Sequence, residues 1–218
     1  MTMKIYRFGG GLDHWTWVNW TNAESERLDR LGHVRGAAIA ALEDDAQFGR
    51  DRLAAAWKPR TIFPLVIEGE APLSRRLGDF PNHTSSTVLI FSRRAVDALR
   101  DLLGPDDEVL PLESELGEFY VVNVLTVLDC VDIDKCEVWR FPSSGRIGEI
   151  RRFEFFPERV TASIFQVIPF IGTGKYFARD DFVQRLQDAG LEGYYTKQVW
   201  PHVPRPTPKP RANTRAKT

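Results

Sequence analysis

Phe119-Tyr120-Val121-Val122-Asn123-Val124-Leu125-Thr126-Val127-Leu128 is the stretch on which the fold turns. It is apolar at nearly every position and rich in β-branched and aromatic residues, so it reads as one strand. A strand with one wet face alternates polar and apolar side chains. This one does not, which predicts a central strand covered on both faces. Upstream lies the short apolar run Val88-Leu89-Ile90-Phe91, then Ser92, whose hydroxyl suits a helix cap. Val96, Leu99 and Leu103 fall on one face of that helix with Leu102 beside them, and Gly104-Pro105 stops it. Downstream, apolar runs at residues 138–141, 150–156 and 163–168 read as further strands, separated by turn residues such as Ser143-Ser144-Gly145. A last helix is expected from Asp180, with the stripe Phe182, Val183, Leu186 and Ala189 and a Schellman ending at Gly190-Leu191. Gly193-Tyr194-Tyr195-Thr196 then reads as a terminal strand.

The first part of the chain is less regular. Residues 4–8 alternate as a short strand, which the glycines at 9–11 are expected to break. Trp15, Trp17 and Trp20 form an aromatic cluster suited to packing under N-terminal loops. Thr21-Asn22-Ala23-Glu24 has the spacing of a capping box for a short helix ending at Gly32. Residues 36–57 are alanine-rich and read as helical, interrupted by Asp44-Asp45 and Gly49. Phe63-Pro64-Leu65-Val66-Ile67 reads as an edge strand because of its proline. Residues 69–87 read as loop and as the internal boundary. The expected organisation is therefore an N-terminal strand and helix region over 1–80, a main domain over 81–200, and a disordered basic, Pro-rich tail over 201–218. Strands in mixed order with few helices predict an α+β fold with a mixed or mainly antiparallel sheet.

Composition narrows the class. The chain has 218 residues, 43% hydrophobic, with 14 Phe and 6 Trp, enough to fill a core without disulfides or metals. No stretch approaches the ~20 apolar residues that span a bilayer, so no membrane partner is expected. Residues 1–11 lack the apolar run of a signal peptide, which points to the cytoplasm. In that compartment the two cysteines, Cys130 and Cys136, are expected as free thiols. Spacings such as Cys-x-x-Cys or His-x₃-His are absent, and no metal or cofactor is expected.

The charges are polarised although the net charge is −1. Residues 97–137 hold 12 Asp or Glu against 2 Lys or Arg, a local balance of −10. After Glu192 every charged residue is basic. Asp106, Asp107, Glu108, Glu113, Glu115 and Glu118 are the densest part of the acidic stretch and the candidate partner-binding residues. A surface of one sign steers an oppositely charged protein and speeds its encounter.

Catalytic motifs do not assemble. Gly172-Thr173-Gly174-Lys175 has the ending of a phosphate-binding loop, but Pro169 and Tyr176 occupy positions that such a loop gives to Gly and Ser or Thr. It reads as a turn. His14, His33, His83 and His202 sit in no zinc-binding or deaminase pattern. A nucleophile paired in space with one of them stays open, because triads are built from distant residues.

The serial order is the most informative feature. A Ser92-capped helix leads to Glu108-Val109-Leu110-Pro111-Leu112, then to Phe119-Tyr120-Val121-Val122-Asn123-Val124 and Leu128-Asp129. Phe165, Arg179-Asp180-Asp181-Phe182 and Leu191-Glu192-Gly193-Tyr194-Tyr195 follow. Over roughly residues 60–197 this order resembles the Imm11 family of immunity proteins of bacterial polymorphic toxin systems. The resemblance implies a cytoplasmic α+β protein that neutralises a cognate protein toxin by stoichiometric binding, with no catalytic residues, and the acidic stretch suits a basic toxin. Two alternatives come from other classes: an enzyme with a site of dispersed residues, and a weak nucleic-acid or anionic-surface binder acting through the basic tail, for which nucleic acid is the less expected partner because the tail lacks interleaved aromatics.

Overall fold

The computed structural model describes residues 3–11, 17–19, 45, 47–64, 76–83, 85 and 87–202. In chain order the strands and α-helices are β1 (Ile5–Gly10), β2 (Trp17–Asn19), β3 (Arg60–Thr61), β4 (Phe63–Pro64), β5 (Asn82–His83), β6 (Ile90–Ser92), α1 (Arg93–Leu99), β7 (Glu108–Glu113), β8 (Phe119–Asn123), β9 (Val127–Leu128), β10 (Glu137–Arg140), β11 (Ile147–Arg152), β12 (Ile164–Val167), β13 (Tyr176–Arg179), α2 (Asp180–Asp188) and β14 (Tyr194–Trp200). They form a five-stranded sheet in the order β14-β1-β13-β12-β9, a four-stranded sheet β3-β7-β8-β6, a three-stranded sheet β4-β2-β5 and the hairpin β10-β11. Most pairings are antiparallel, and β12 with β9, β2 with β5 and β3 with β7 are parallel. This is the expected mixed α+β architecture.

Three clusters of buried side chains fill the spaces between these elements. The first lies between one face of the five-stranded sheet and the two helices, with Phe8, Phe91, Val96, Leu99, Phe182 and Leu186 at its centre. The second covers the opposite face of that sheet, where Ile5, Phe165 and Phe177 meet Phe153, Phe155 and Ile150. The third packs Phe48, Leu53 and Ile62 against Ile90, Leu110, Phe119 and Val121.

The helices follow their sequence signals. Ser92 Oγ accepts from the Ala95 amide at 3.1 Å and caps α1. Its hydroxyl also donates to Asp79 Oδ1 at 2.7 Å. The α2 end is a Schellman motif, with Leu191 N donating to the Leu186 carbonyl at 3.0 Å and Gly190 N to Gln187 at 3.0 Å. Arg185 ties α2 to the α1 end through Asp101, at 2.9 and 3.1 Å, and through the Ala98 carbonyl at 2.9 Å.

The decisive stretch departs from its reading. Its first half, β8, is covered on both faces as expected: Phe119 and Val121 point into the third cluster, Val122 into the first. The strand ends at Asn123, because the next backbone groups are taken by side chains. The Leu125 and Thr126 amides donate to the Asp107 carboxylate at 2.8 and 2.9 Å, and the Val124 carbonyl accepts from Gln166 Nε2 at 2.7 Å. Val127 and Leu128 then cross to the other sheet beside β12. Ten residues read as one strand thus serve two sheets.

The glycines after residue 8 do not break β1. Gly9 and Gly10 pair with Tyr195 and Tyr194 of β14. A Cβ on Gly10 would lie 3.0 Å from Asn82 Cα, so glycine there serves close packing of the chain at 80–82. Phe63 and Pro64 form an edge strand as expected, through β2 alone. The expected helix after Thr21, residues 36–44 and 46 of the alanine-rich segment, residues 65–67 of the expected edge strand, much of the expected loop at 69–87, Trp15, Trp20 and the tail beyond His202 lie outside the described residues. Within the remainder of that alanine-rich segment, Ala54–Ala56 forms a single 3-10 turn.

Buried polar groups are used sparingly. Gln166 has no solvent exposure, and its amide donates to the Gly49 and Val124 carbonyls at 2.7 Å each while its oxygen accepts from Gly172 N at 2.8 Å. Asn123 Oδ1 accepts from Gly49 N at 2.6 Å, and its amide donates to the Asp51 carbonyl at 3.0 Å. His83, 2% exposed, accepts from the Ser85 amide at Nδ1, and burial pushes its pKa down to about 4.

That depressed value sets a pH window. The unfolded chain takes up the His83 proton near its ordinary value of 6.5, while the folded chain resists until about 4. Stability from this group is therefore full above pH 6.5 and is lost as pH falls through that interval, by about 2 kcal/mol at about pH 5. Denaturant unfolding of wild type and His83→Gln at about pH 7 and about pH 5 measures it. The substitution should flatten the difference, and an unchanged slope would contradict this assignment.

Candidate functional site

The acidic segment 106–118 runs along β7 and the turn into β8, so its six carboxylates are not one patch. A six-residue strand is about 16 Å long, and β7 separates Asp106, Asp107 and Glu108 from Glu113, Glu115 and Glu118. At the near end, Asp107 faces inward: it accepts from the Gly104 amide at 2.7 Å, the Leu125 and Thr126 amides, and Thr126 Oγ1 at 3.0 Å. Glu108 holds the start of the Ala54–Ala56 3-10 turn, accepting from the Leu53 and Ala54 amides at 2.8 and 3.0 Å and from Asn123 Nδ2 at 2.9 Å. Partial burial would raise its pKa, but those donors, with Arg52 nearby, outweigh it and hold the carboxyl below its ordinary value. Asp106 is exposed and paired with Arg52.

At the far end the carboxylates face solvent. Glu113 accepts from Thr61 Oγ1 at 3.1 Å, and Glu118 lies 3.8 Å from Arg93. Glu115 is exposed on the turn, and its carboxylate makes no hydrogen bond or ion pair among the described residues. Two of the six residues predicted as a contact surface are thus internal fastenings, and the other four keep exposed carboxylates.

The groups that could carry chemistry are scattered. Burial pushes the Cys130 thiol up to about 12 and raises Cys136, and both thiols are free. Tyr176 is buried and donates to the Thr87 carbonyl at 2.5 Å. His202 is exposed at the end of the described chain, and His14 and His33 lie outside it. Among the described residues, no group of three or more His, Cys, Asp or Glu is placed to hold a metal. No described helix is long and apolar enough to cross a membrane. Gly172 and Gly174 have φ of 62° and 69° in a turn that leads into strand β13 rather than a helix, so it presents no helix N-terminus to a phosphate. A depression of about 330 Å³ borders Trp57 and Arg60, but Trp57 Nε1 is committed to the Pro111 carbonyl at 2.8 Å and Arg60 lies 3.8 Å from Asp45.

A surface that sequence reading passed over is better built for contact. The hairpin β10-β11 turns Val138, Ile147 and Ile150 toward the second core cluster. It leaves Trp139 40% and Phe141 47% exposed. The two rings meet edge to face with centroids 4.7 Å apart. They sit over Gly148 of the neighbouring strand, where an added Cβ would be 2.2 Å from the Trp139 ring. Arg140, Arg146, Arg151 and Arg152 against Glu137 and Glu149 give the hairpin 4 − 2 = +2. The signal in the sequence was a Trp and a Phe two residues apart among arginines, with a glycine where the partner strand must pass beneath. With Val138 turned inward, alternation along the strand puts Trp139 and Phe141 on the outer face, and the hairpin register shifts between Glu137 and Val138 and between Trp139 and Arg140.

The division of the carboxylates is testable by denaturant unfolding. Asp107→Ala strands three backbone amides, of Gly104, Leu125 and Thr126, and should cost at least about 2 kcal/mol. Glu115→Ala should stay within about 0.5 kcal/mol of wild type. Equal costs, or a neutral Asp107 variant, would contradict the assignment.

No protein-family model matches the chain, and among curated protein sequences none matches it.

Proposed function

We propose that this chain works by binding a protein partner stoichiometrically, as an immunity protein that neutralises a toxin in the cytoplasm of the cell that makes both. The observation that carries the reading is the Trp139–Phe141 pair. Exposed aromatic side chains beside arginines are the composition of interface hot spots. Ordering costs are low, because Gly148 and the T-shaped contact already hold both rings in place. The order of features shared with the Imm11 immunity proteins supports the same class.

The partner's chemistry follows from the hairpin. Its positive balance fits a partner surface with an acidic rim around an apolar recess, the reverse of the basic partner expected from the acidic stretch. Asp106, Glu113, Glu115 and Glu118 offer a second and weaker contact for any basic segment of the same partner. Inhibition then needs no chemistry, since covering or locking the toxin's working cleft is sufficient.

The test is co-expression with the product of the adjacent gene. That product should be toxic alone, harmless with this protein, and should co-purify with it. Replacing Trp139 and Phe141 together by Ala should weaken the complex by about 2 kcal/mol or more, about 30-fold, while leaving the thermal midpoint nearly unchanged. A non-toxic product, or a double variant that protects and binds as wild type does, would contradict the proposal.

A further inference from the structure

The middle of the five-stranded sheet carries an arrangement that folding alone does not explain. Arg7 lies on β1, between Phe177 of β13 and Lys197 of β14. Residues paired across strands project to the same side, so Arg7 and Lys197 stand opposite each other on the face that carries the second core cluster. Lys175, two residues before Phe177, brings its ammonium to the same side, 3.7 Å from the centre of the Phe170 ring. Tyr195, opposite Gly9, completes the neighbourhood, and a Cβ on Gly9 would meet nothing within 4 Å.

Like charges directly opposite destabilise a sheet, and a partly buried cation is costly unless paired. Here the compensation is missing. Arg7 Nε is buried without a hydrogen-bond partner. Neither Arg7, Lys175 nor Lys197 forms an ion pair among the described residues. The ring of Phe177, 5.8 Å from the Arg7 guanidinium, and a weaker electrostatic effect of the Tyr195 phenol, which opposes the lowering by burial, are what remain to it. Burial lowers the pKa of Arg7, and burial together with Arg7 lowers that of Lys175, against a smaller opposing effect of Glu149.

We infer that Arg7, Lys175 and Lys197 form a binding site for a phosphate monoester of a small molecule, with Tyr195 beside it to contact the esterified group. A phosphate monoester carries about −1.5 to −2 charge near neutrality and has oxygens enough for a guanidinium fork and two ammonium groups together. The open space at Gly9 gives the ligand access. The site adjoins the proposed contact hairpin through Glu149, which acts on Lys175 and pairs across strands with Trp139, but its reading does not rest on the toxin contact.

The experiment is thermal unfolding of the full chain with inorganic phosphate or phenyl phosphate, against chloride at equal ionic strength. Both phosphates should raise the midpoint saturably, phenyl phosphate at lower concentration. Arg7→Met should abolish that gain and, by removing an uncompensated cation, raise the midpoint in chloride. Lys197→Gln, on an exposed position, should keep the midpoint in chloride and bind phosphate about tenfold to a hundredfold more weakly. Phosphate gains that survive both substitutions would overturn the site, as would a lower midpoint for Arg7→Met in chloride, which would make Arg7 structural. Heparin binding that needs Lys197 with no response to either phosphate would mean a polyanion surface and would equally overturn it.

Discussion

One buried side chain, the Gln166 amide, joins parts of the chain that no sheet ladder connects. From β12 it donates to the backbone at Gly49 and Val124 and accepts from Gly172. Asn123 of β8 takes the Gly49 amide from the other side, so both backbone polar groups of that residue end on side chains. Gly49 has φ of 73°, and a Cβ there would be 2.8 Å from Gln166 Nε2, so the residue that makes the turn is also the one that admits the amide. In a dry interior such bonds are strong when complete, and costly when one partner is missing. The segment at 47–54, the end of β8 and the turn after β12 therefore hold their places together.

This constraint explains why the chain was readable in part. Where burial follows a simple period, sequence and structure agree: Ser92 caps α1, Phe182, Val183 and Leu186 face inward on α2, and Phe119 to Val122 are covered on both sides. Where a distant side chain takes a backbone group, period says nothing. The run at 119–128 splits because Asp107 and Gln166 claim the peptide groups around Leu125, and neither partner is marked by local pattern. The glycines at 9–10 likewise look like breakers, until the crossing chain at Asn82 shows what their missing Cβ accommodates.

The candidate site was less legible than the fold, for a related reason. Charge density along a sequence does not say which way carboxylates point. Asp107 and Glu108 count as carboxylates in the sequence just as Glu115 does, yet they satisfy backbone amides inside the molecule, whereas Glu115 faces solvent. Trp139 and Phe141 fall in a segment read only as a strand, and a strand reading does not say which face its aromatic residues take. Here the inward face of the hairpin is filled by Val138 and Ile150, and alternation along the strand leaves Trp139 and Phe141 outside. The exposed pair, held over Gly148, is the feature on which the proposed contact rests.

The most direct measurement is amide hydrogen exchange on the protein alone and in complex with the partner proposed for it, the product of the adjacent gene. New protection is expected to concentrate over residues 137–152, with amides of the Asp107 and Glu108 network already slow in the free protein and little changed. Protection centred on residues 106–118 with the hairpin unaffected would contradict it.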